Sequence, residues 1–309
     1  MIYTLTLNPA LDKQYSVEHL TFDSVLKAQS IQLDYGGKGF NVSRMLAHLG
    51  MTSTALGFVG GVTGSAFAPG LAEQGILSDL TTVAQETRTN TTVVSKADKR
   101  HIKVNEPGPT IQAKELEALT ATIQKHLVSG DVWVLAGSLP PGVSAEIYAE
   151  LTNKIKAAGS WVVLDASGPA LQKGLTAGPV LAKPNLLELS ELTGKHFEML
   201  EDAARHLSDL RELGAENLAV SGGKHGALIT DGSNAWVCAP PSSHEVNPVG
   251  AGDAMVAGLV RSFVLGHDLP TALRWGVACG TAAARTSGTQ MPALAQVEAV
   301  YAELKVMEI

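Results

Sequence analysis

Short apolar runs rich in β-branched residues recur along this chain, with helical patterns between several of them. The runs occupy residues 55–59, 132–136, 161–165, 180–183, 218–221 and 227–230; helical patterns occupy 113–127, 145–158 and 187–192. Strands separated by helices pair in parallel by crossing over a sheet, so the alternation predicts βαβ units. The fold class is α/β, with a mainly parallel sheet and helices on both faces. A chain of 309 residues can bury a large core, as one big domain or a domain with an appendage. No linker, repeat or low-complexity tract divides it, so residues 1–309 are expected to form a single domain.

Two regions break the alternation. Residues from about 12 to 35 and from about 87 to 105 are polar and strand-like, without helical period. Segments 89–95 and 101–105 flank Ala97-Asp-Lys-Arg100, which reads as a hairpin with one solvated face. These segments are expected to form a small sheet inserted in the α/β core, serving as a lid or an interface.

The strongest chemical motif is Asn247-Pro-Val-Gly-Ala-Gly-Asp253, followed by a run of apolar and small residues to Val264. Free N–H groups at a helix start attract anions, and Gly250, Ala251 and Gly252 allow close approach of a phosphate. Asp253 then stands where a substrate hydroxyl could meet that phosphate, an arrangement suited to phosphoryl transfer. A carboxylate in that position is expected to be stabilised as an anion by the helix, making it a weak base. A loose transition state tolerates this, since the hydroxyl proton can leave late. An ordinary helix start with an acidic first turn is the plain structural alternative.

Gly36-Gly-Lys-Gly-Phe-Asn41 precedes an amphipathic helix marked by Val42, Met45, Leu46 and Leu49 and stopped by Gly50. It lacks the spacing and hydroxyl of a Walker A loop. Bare backbone, the Lys38 charge and the Asn41 amide would suit a sugar hydroxyl or phosphate; alternatively, Asn41 is a simple N-cap. Lys183-Pro-Asn-Leu-Leu-Glu188 leaves a core strand and enters a helix. Asn185 and Glu188 have capping-box spacing, and they could equally hold a hydrated Mg²⁺ beside nucleotide phosphates, with Lys183 on a phosphate oxygen. Ser138, in Ala136-Gly-Ser-Leu-Pro-Pro-Gly142, sits at the ligand-binding edge of an open sheet or in a plain Pro/Gly loop. Ser221-Gly-Gly-Lys-His-Gly226 is either a hairpin or a loop with bare backbone facing a nucleotide.

The formal charge of −7 argues against a general nucleic-acid binder, so any phosphorylated ligand must meet local positive charge. Cys238 and Cys279 make no disulfide framework, and the chain opens on strand-like residues without a basic leader or long apolar stretch. A cytoplasmic protein with no membrane span is expected. No HExxH or Cys/His cluster supports zinc, no GxSxG supports a serine nucleophile, and no GxGxxG follows the first strand. His225 and His244 read as surface or supporting residues, and Tyr35, Trp133, Trp161 and Trp275 as packing residues.

In chain order, Leu7-Asn-Pro-Ala-Leu-Asp12, residues 36–41, Thr87-Arg-Thr-Asn90, Gly137-Ser-Leu-Pro140, Lys183-Pro-Asn185 with Glu188, Ser221 with Gly223, and Gly250-Ala-Gly-Asp253 together resemble the ribokinase-type (PfkB) carbohydrate kinases. The likeness spans the chain and is nearest to the hexose-phosphate branch of 1-phosphofructokinases and tagatose-6-phosphate kinases. It implies a three-layer α/β sandwich with a β-sheet lid that doubles as a homodimer interface. It also implies ATP and Mg²⁺ as cofactors and a sugar phosphate as acceptor. By the same resemblance Asp253 is the base, and Gly250, Ala251 and Gly252 form the anion hole. Asp12, Gly37, Lys38, Asn41, Arg88 and Ser138 hold the sugar phosphate, with Lys27 reaching from the lid toward a partner's site. Lys183, Asn185, Ser221, Gly223, Val277 and Thr281 serve ATP, and Asn185 and Glu188 serve the metal. Arg88 is the favoured phosphate partner, because its planar fork suits bidentate contact.

Fructose 1-phosphate is the favoured substrate, ahead of tagatose 6-phosphate and fructose 6-phosphate. A non-catalytic sugar-phosphate or nucleotide sensor is the alternative from another class, and it would not need a base and a metal shell together. The chain departs from the usual pattern at Pro248, where Thr is frequent, and at Gly222, where a bulkier residue is common. Lys38 separates it from 6-phosphofructokinases with glycine there, and residues 101–108 match no substrate class.

Overall fold

The computed structural model describes residues 1–241, 249–286 and 290–309. The chain begins with β1 (Ile2–Thr6), β2 (Ala10–Val17), β3 (Ser30–Gly36) and α1 (Lys38–His48). It continues through β4 (Thr54–Gly60), α2 (Gly61–Ser65), α3 (Phe67–Glu73), β5 (Leu77–Val83), β6 (Arg88–Ser95) and β7 (His101–Val104). Next come α4 (Ala113–His126), β8 (Val132–Ala136), α5 (Ile147–Ala157), β9 (Trp161–Asp165), α6 (Gly168–Leu175), β10 (Leu181–Ala182), α7 (Leu186–Thr193), α8 (Leu200–Ala204) and α9 (Leu207–Glu212). The last third holds β11 (Leu218–Ser221), β12 (Ala227–Thr230), β13 (Ala235–Cys238), α10 (Ala251–Val264), α11 (Leu269–Ala284), α12 (Leu294–Glu303) and β14 (Val306–Glu308).

Ten strands form the main sheet in the order β14-β13-β12-β11-β10-β9-β8-β1-β4-β5. From β5 to β11 neighbours run parallel, and β12, β13 and β14 extend the sheet antiparallel. Alternation along β8 shows how the layers arise. Trp133 and Leu135 join one buried cluster, with helices α4 to α9; Val132, Val134 and Ala136 join the other, with α1, α10, α11 and α12. The result is the three-layer α/β/α arrangement. Trp133 and Trp275 pack as expected, and Tyr35 stacks edge-on against Phe67, but Trp161 stays 45% exposed at the start of β9.

The backbone decides three local readings. Within the run 180–183 the regular strand is only Leu181–Ala182, although Val180 and Lys183 also donate backbone hydrogen bonds to β9, and Pro184, which carries no N–H, ends it. β11 and β12 form an antiparallel hairpin, one of the two readings of residues 221–226, since their short connection leaves no room for a crossover. Helix α1 begins at Lys38, capped by Gly37 at φ 148°, so Asn41 lies inside the first turn and is not the N-cap.

The smaller sheet has the order β3-β2-β6-β7. The expected hairpin is present, with Val94 opposite His101, and β2 pairs in parallel with β6. Its two faces differ in character. One cross-strand row joins Ile31, Tyr15, Val93 and Ile102, and the next joins Leu33, Lys13, Thr91 and Val104. The row between them, on the opposite face, joins Gln32, Gln14, Thr92 and Lys103, and the row beyond Leu33 on that same opposite face joins Asp34, Asp12 and Asn90.

Candidate active site

β1 sits where the chain order of the main sheet reverses: β4 and β5 lie on one side of it, and β8 to β11 follow on the other. Ligands of open α/β sheets bind outside the carboxyl ends of strands at such a point. The functional candidates gather there. Asp165 ends β9, Ser138 follows β8, Lys183 follows β10, Ser221 ends β11, and α1 and α10 present their N-termini.

Helix α10 starts after Gly250, whose φ of 81° is the left-handed cap conformation that glycine adopts without penalty, and no side chain caps the helix. The first N–H groups, from Ala251 and Gly252 onward, are therefore left without intrahelical partners. Asp253, in the first turn, is 7% exposed, and its Oδ2 accepts a 2.7 Å hydrogen bond from Asn41 Nδ2 on α1. The acid strength differs from the expectation of a helix-stabilised anion. Burial and the negative charge of Asp165 push the Asp253 carboxyl up to about 6, against Lys38, Asn41 and Lys183, which favour the anion. A buried carboxyl at that value is a better proton acceptor than an exposed one and is still mostly ionised at neutral pH. Asn247 and Pro248, which open this motif, and His244 lie outside the described residues.

Asp165 is a residue that sequence reading saw only as a strand end. It is fully buried and receives Lys38 Nζ at 3.2 Å and Lys183 Nζ at 3.3 Å, both on Oδ1, while Oδ2 has no partner. Burial works against the Asp165 anion, but the two lysines hold it below the usual carboxylate range. Burial likewise opposes the Lys38 cation, yet Asp165, Asp253 and Glu188 hold it above the usual range. The Lys38 ammonium is thus fixed as a charge at the sheet edge. Lys38, with 38% of its side chain exposed, can also turn toward a ligand.

On the small-sheet side, Asn90 Nδ2 donates to Asp12 Oδ1 at 2.8 Å, and a side chain at Gly36 would collide with the Asp12 carboxylate. Gly37 is required twice over, by its positive φ and because a Cβ would lie 2.6 Å from Thr6 Cγ2. Arg88 differs from the expected free phosphate fork. Its guanidinium donates to the backbone oxygens of Asn8 (2.9 Å), Glu106 (3.0 Å) and Pro9 (3.3 Å), tying β6 to the β1–β2 link; two of its five N–H groups remain for a ligand. Ser138 is exposed at the end of β8, and Lys27 is exposed in the link between β2 and β3.

A cavity of about 670 Å³ opens on the other side of the α10 N-terminus. Ser221, Gly223, Ala251, Gly252, Val277 and Thr281 line it with others, which brings four of the expected nucleotide residues and two of the anion-hole residues to one wall. The loop from Ser221 to Gly226 is both things considered for it: a hairpin turn, and bare backbone on the cavity. Asn185 and Glu188 form the capping box of α7, with Glu188 N donating to Asn185 Oδ1 at 2.8 Å and Asn185 N to Glu188 Oε2 at 2.9 Å. Oε1 of Glu188 is left for a cation. Among the described residues no group of three His, Cys, Asp or Glu side chains could cage a metal. This donor set fits a hydrated Mg²⁺ carried largely by waters and phosphates, and does not fit a protein cage.

Sequence reading missed Arg44 and Asp34 as well as Asp165. A signal existed for Arg44: it lies three residues after Asn41, so the two share a helix face, on a turn otherwise committed to the core.

The fold and the convergence of buried charge, bare helix start and nucleotide-sized cavity define a phosphoryl-transfer enzyme of the α/β class. The sequence matches the pfkB family carbohydrate kinase description over residues 5–296, and the chain belongs to that family of sugar kinases. It is 37% identical to a 1-phosphofructokinase of Rhodobacter capsulatus, covering 94% of this chain and 92% of that protein. It is 32% identical to an ATP-dependent 6-phosphofructokinase isozyme 2 of Escherichia coli (strain K12), covering 98% of each. The crystal structure of phosphofructokinase-2 from Escherichia coli in complex with potassium superimposes with a TM-score of 0.93 at 32% identity, covering 98% of each chain.

Proposed function

We propose that this chain is a cytoplasmic ATP-dependent kinase that converts fructose 1-phosphate to fructose 1,6-bisphosphate. The observation that carries the reading is the hydrogen bond from Asn41 to the buried Asp253, one residue after Gly252 on the wall of the nucleotide-sized cavity. The favoured substrate rests on the relative named for that activity. In this reading the sugar hydroxyl donates its proton to Asp253 as its oxygen bonds to the γ-phosphorus of ATP, and the bond from that phosphorus to the β–γ bridging oxygen breaks to release ADP. The N–H groups at Gly250, Ala251 and Gly252 receive the phosphoryl oxygens, and Lys38 and Lys183 balance the charge. Asp12, Gly37, Lys38, Asn41, Arg88 and Ser138 hold the sugar phosphate. Lys183, Asn185, Ser221, Gly223, Val277 and Thr281 hold the nucleotide. Mg²⁺ neutralises phosphate charge when bound, and Glu188 with Asn185 is the protein's contribution to holding it.

The apolar face of the small sheet supports a homodimer in which that sheet is both lid and interface. Ile31, Leu33, Ile102 and Val104 are 57%, 55%, 38% and 60% exposed, and they form adjoining cross-strand rows on the face away from Asp12. Lys27, in the neighbouring link, is then placed to approach the partner's site. Among the described residues no helix is long and apolar enough to cross a membrane.

The test is ADP release with Mg²⁺, comparing kcat/KM for fructose 1-phosphate, tagatose 6-phosphate and fructose 6-phosphate. A preference for fructose 1-phosphate is expected. A preference for either 6-phosphate would leave the chemistry intact and overturn the substrate; turnover with none would overturn the enzyme reading.

A further inference from the structure

Asn41 faces Asp253, and the end of its amide that does so is set by its other partner, one turn along α1. We propose that Arg44 is a positioning residue that fixes this amide with its nitrogen toward Asp253 and ties that orientation to strand β3 of the small sheet. The inference rests on the proposed role of Asp253 as the proton acceptor.

Arg44 is buried, with 7% of its side chain exposed, and four of its donors are used. Nη1 donates to Asn41 Oδ1 at 2.8 Å and Nε to Gln74 Oε1 at 2.6 Å. Nη2 donates to Asp34 Oδ1 at 2.9 Å and to the Tyr35 backbone oxygen at 3.2 Å. A guanidinium has only donors, so the Asn41 atom facing it must be the amide oxygen. The nitrogen is then left to donate to Asp253 Oδ2, which as a carboxylate can only accept. Arg44 and Asp253 therefore demand the same flip of one amide, and each enforces it for the other.

The far end of the fork reaches the small sheet. Asp34 shares the row of Asp12 and Asn90, the face proposed to meet the sugar. A change in β3 as the sugar binds is thus carried through one planar, multiply bonded group to the residue that aims the base. Loss of Arg44 frees the amide to turn its oxygen to Asp253 or to leave it. The carboxyl, which also faces Lys38 from α1, Asp165 from β9 and Lys183 after β10, then loses a donor that favours its ionised form.

Arg44→Met alone leaves Asp34 as a buried unpaired charge, so the test uses Arg44→Met in an Asp34→Asn background, with Asp34→Asn as reference. A second variant, Arg44→Lys, keeps the charge against Asp34 but not the fork that reaches Asn41. Both are assayed for kcat, for KM of sugar phosphate and MgATP, and for the acid limb of the pH profile, after folding is checked by circular dichroism. The expected result is a kcat lower by about 10–100-fold, the cost of a misaimed reacting group. The acid limb should move to higher pH and KM for MgATP stay within twofold. A merely structural Arg44 would lower thermal stability and leave the acid limb in place. An unmoved limb and kcat within twofold in either folded variant, while Asp253→Asn is inactive, would overturn the proposal. An active Asp253→Asn would instead overturn the reading on which it rests.

Discussion

Replacing Asp253 by Asn should make the protein more stable as it destroys activity. The carboxyl is 7% exposed, and burial together with Asp165 raises it from 3.8 to about 6. A shift of that size disfavours the ionised form in the folded state by ~3 kcal/mol at neutral pH, at about 1.4 kcal/mol per unit. The sign follows from the proton count. Between pH 4 and 6 the folded state binds the proton more tightly than the unfolded chain, so stability falls as pH rises through that window and the full cost is present above it. The neutral amide removes the cost while keeping an oxygen for Asn41 Nδ2. For a chain of this length ~3 kcal/mol corresponds to a rise in Tm of roughly 4–5 °C. Melting wild type and Asp253→Asn at pH 7.5 and pH 5 should show that gain at the higher pH and about half of it at the lower. The same variant should lose roughly 10²–10⁴-fold in kcat, and wild-type kcat/KM should fall on the acid side of about pH 6. A Tm equal to wild type at both pH values would refute the claim that an ionised carboxylate is buried there at a cost. Unchanged turnover would remove Asp253 from the chemistry.

Asp165→Ala strands Lys183, whose side chain is only 6% exposed, without its carboxylate, and should cost about 3–5 kcal/mol in urea denaturation. Glu188→Gln keeps an acceptor for the Asn185 N–H but loses the charge. It should melt near wild type and require about tenfold more Mg²⁺ for half-maximal rate, measured by metal titration. Ile31→Asp with Leu33→Asp places charge on the apolar face of the small sheet, and sedimentation velocity should return a dimer for the wild type and a monomer for this variant.

The α/β class was legible because strands and helices alternate with different periods, and that periodicity belongs to the chain before it folds. The glycine-marked helix starts at residues 36–41 and 250–253 were legible for a similar reason: backbone freedom and exposed N–H groups are local properties. The capping box of Asn185 and Glu188 was equally local, and the structure forms it as spaced. What the sequence could not carry was everything set by distance across the fold. Asp165 looked like the last residue of a strand until the β9 edge brought two lysines from α1 and from beyond β10 onto one of its oxygens. Arg88 read only as a phosphate fork, and the fold also gives it two carbonyls of the β1–β2 link and that of Glu106. The acidity of Asp253 was misjudged because the helix start is a local effect, whereas burial and the Asp165 charge come from packing. Residue type and spacing determine which chemistry a segment can offer. Only the tertiary structure decides which groups lose water and which charges they face, and those two quantities set how each group behaves.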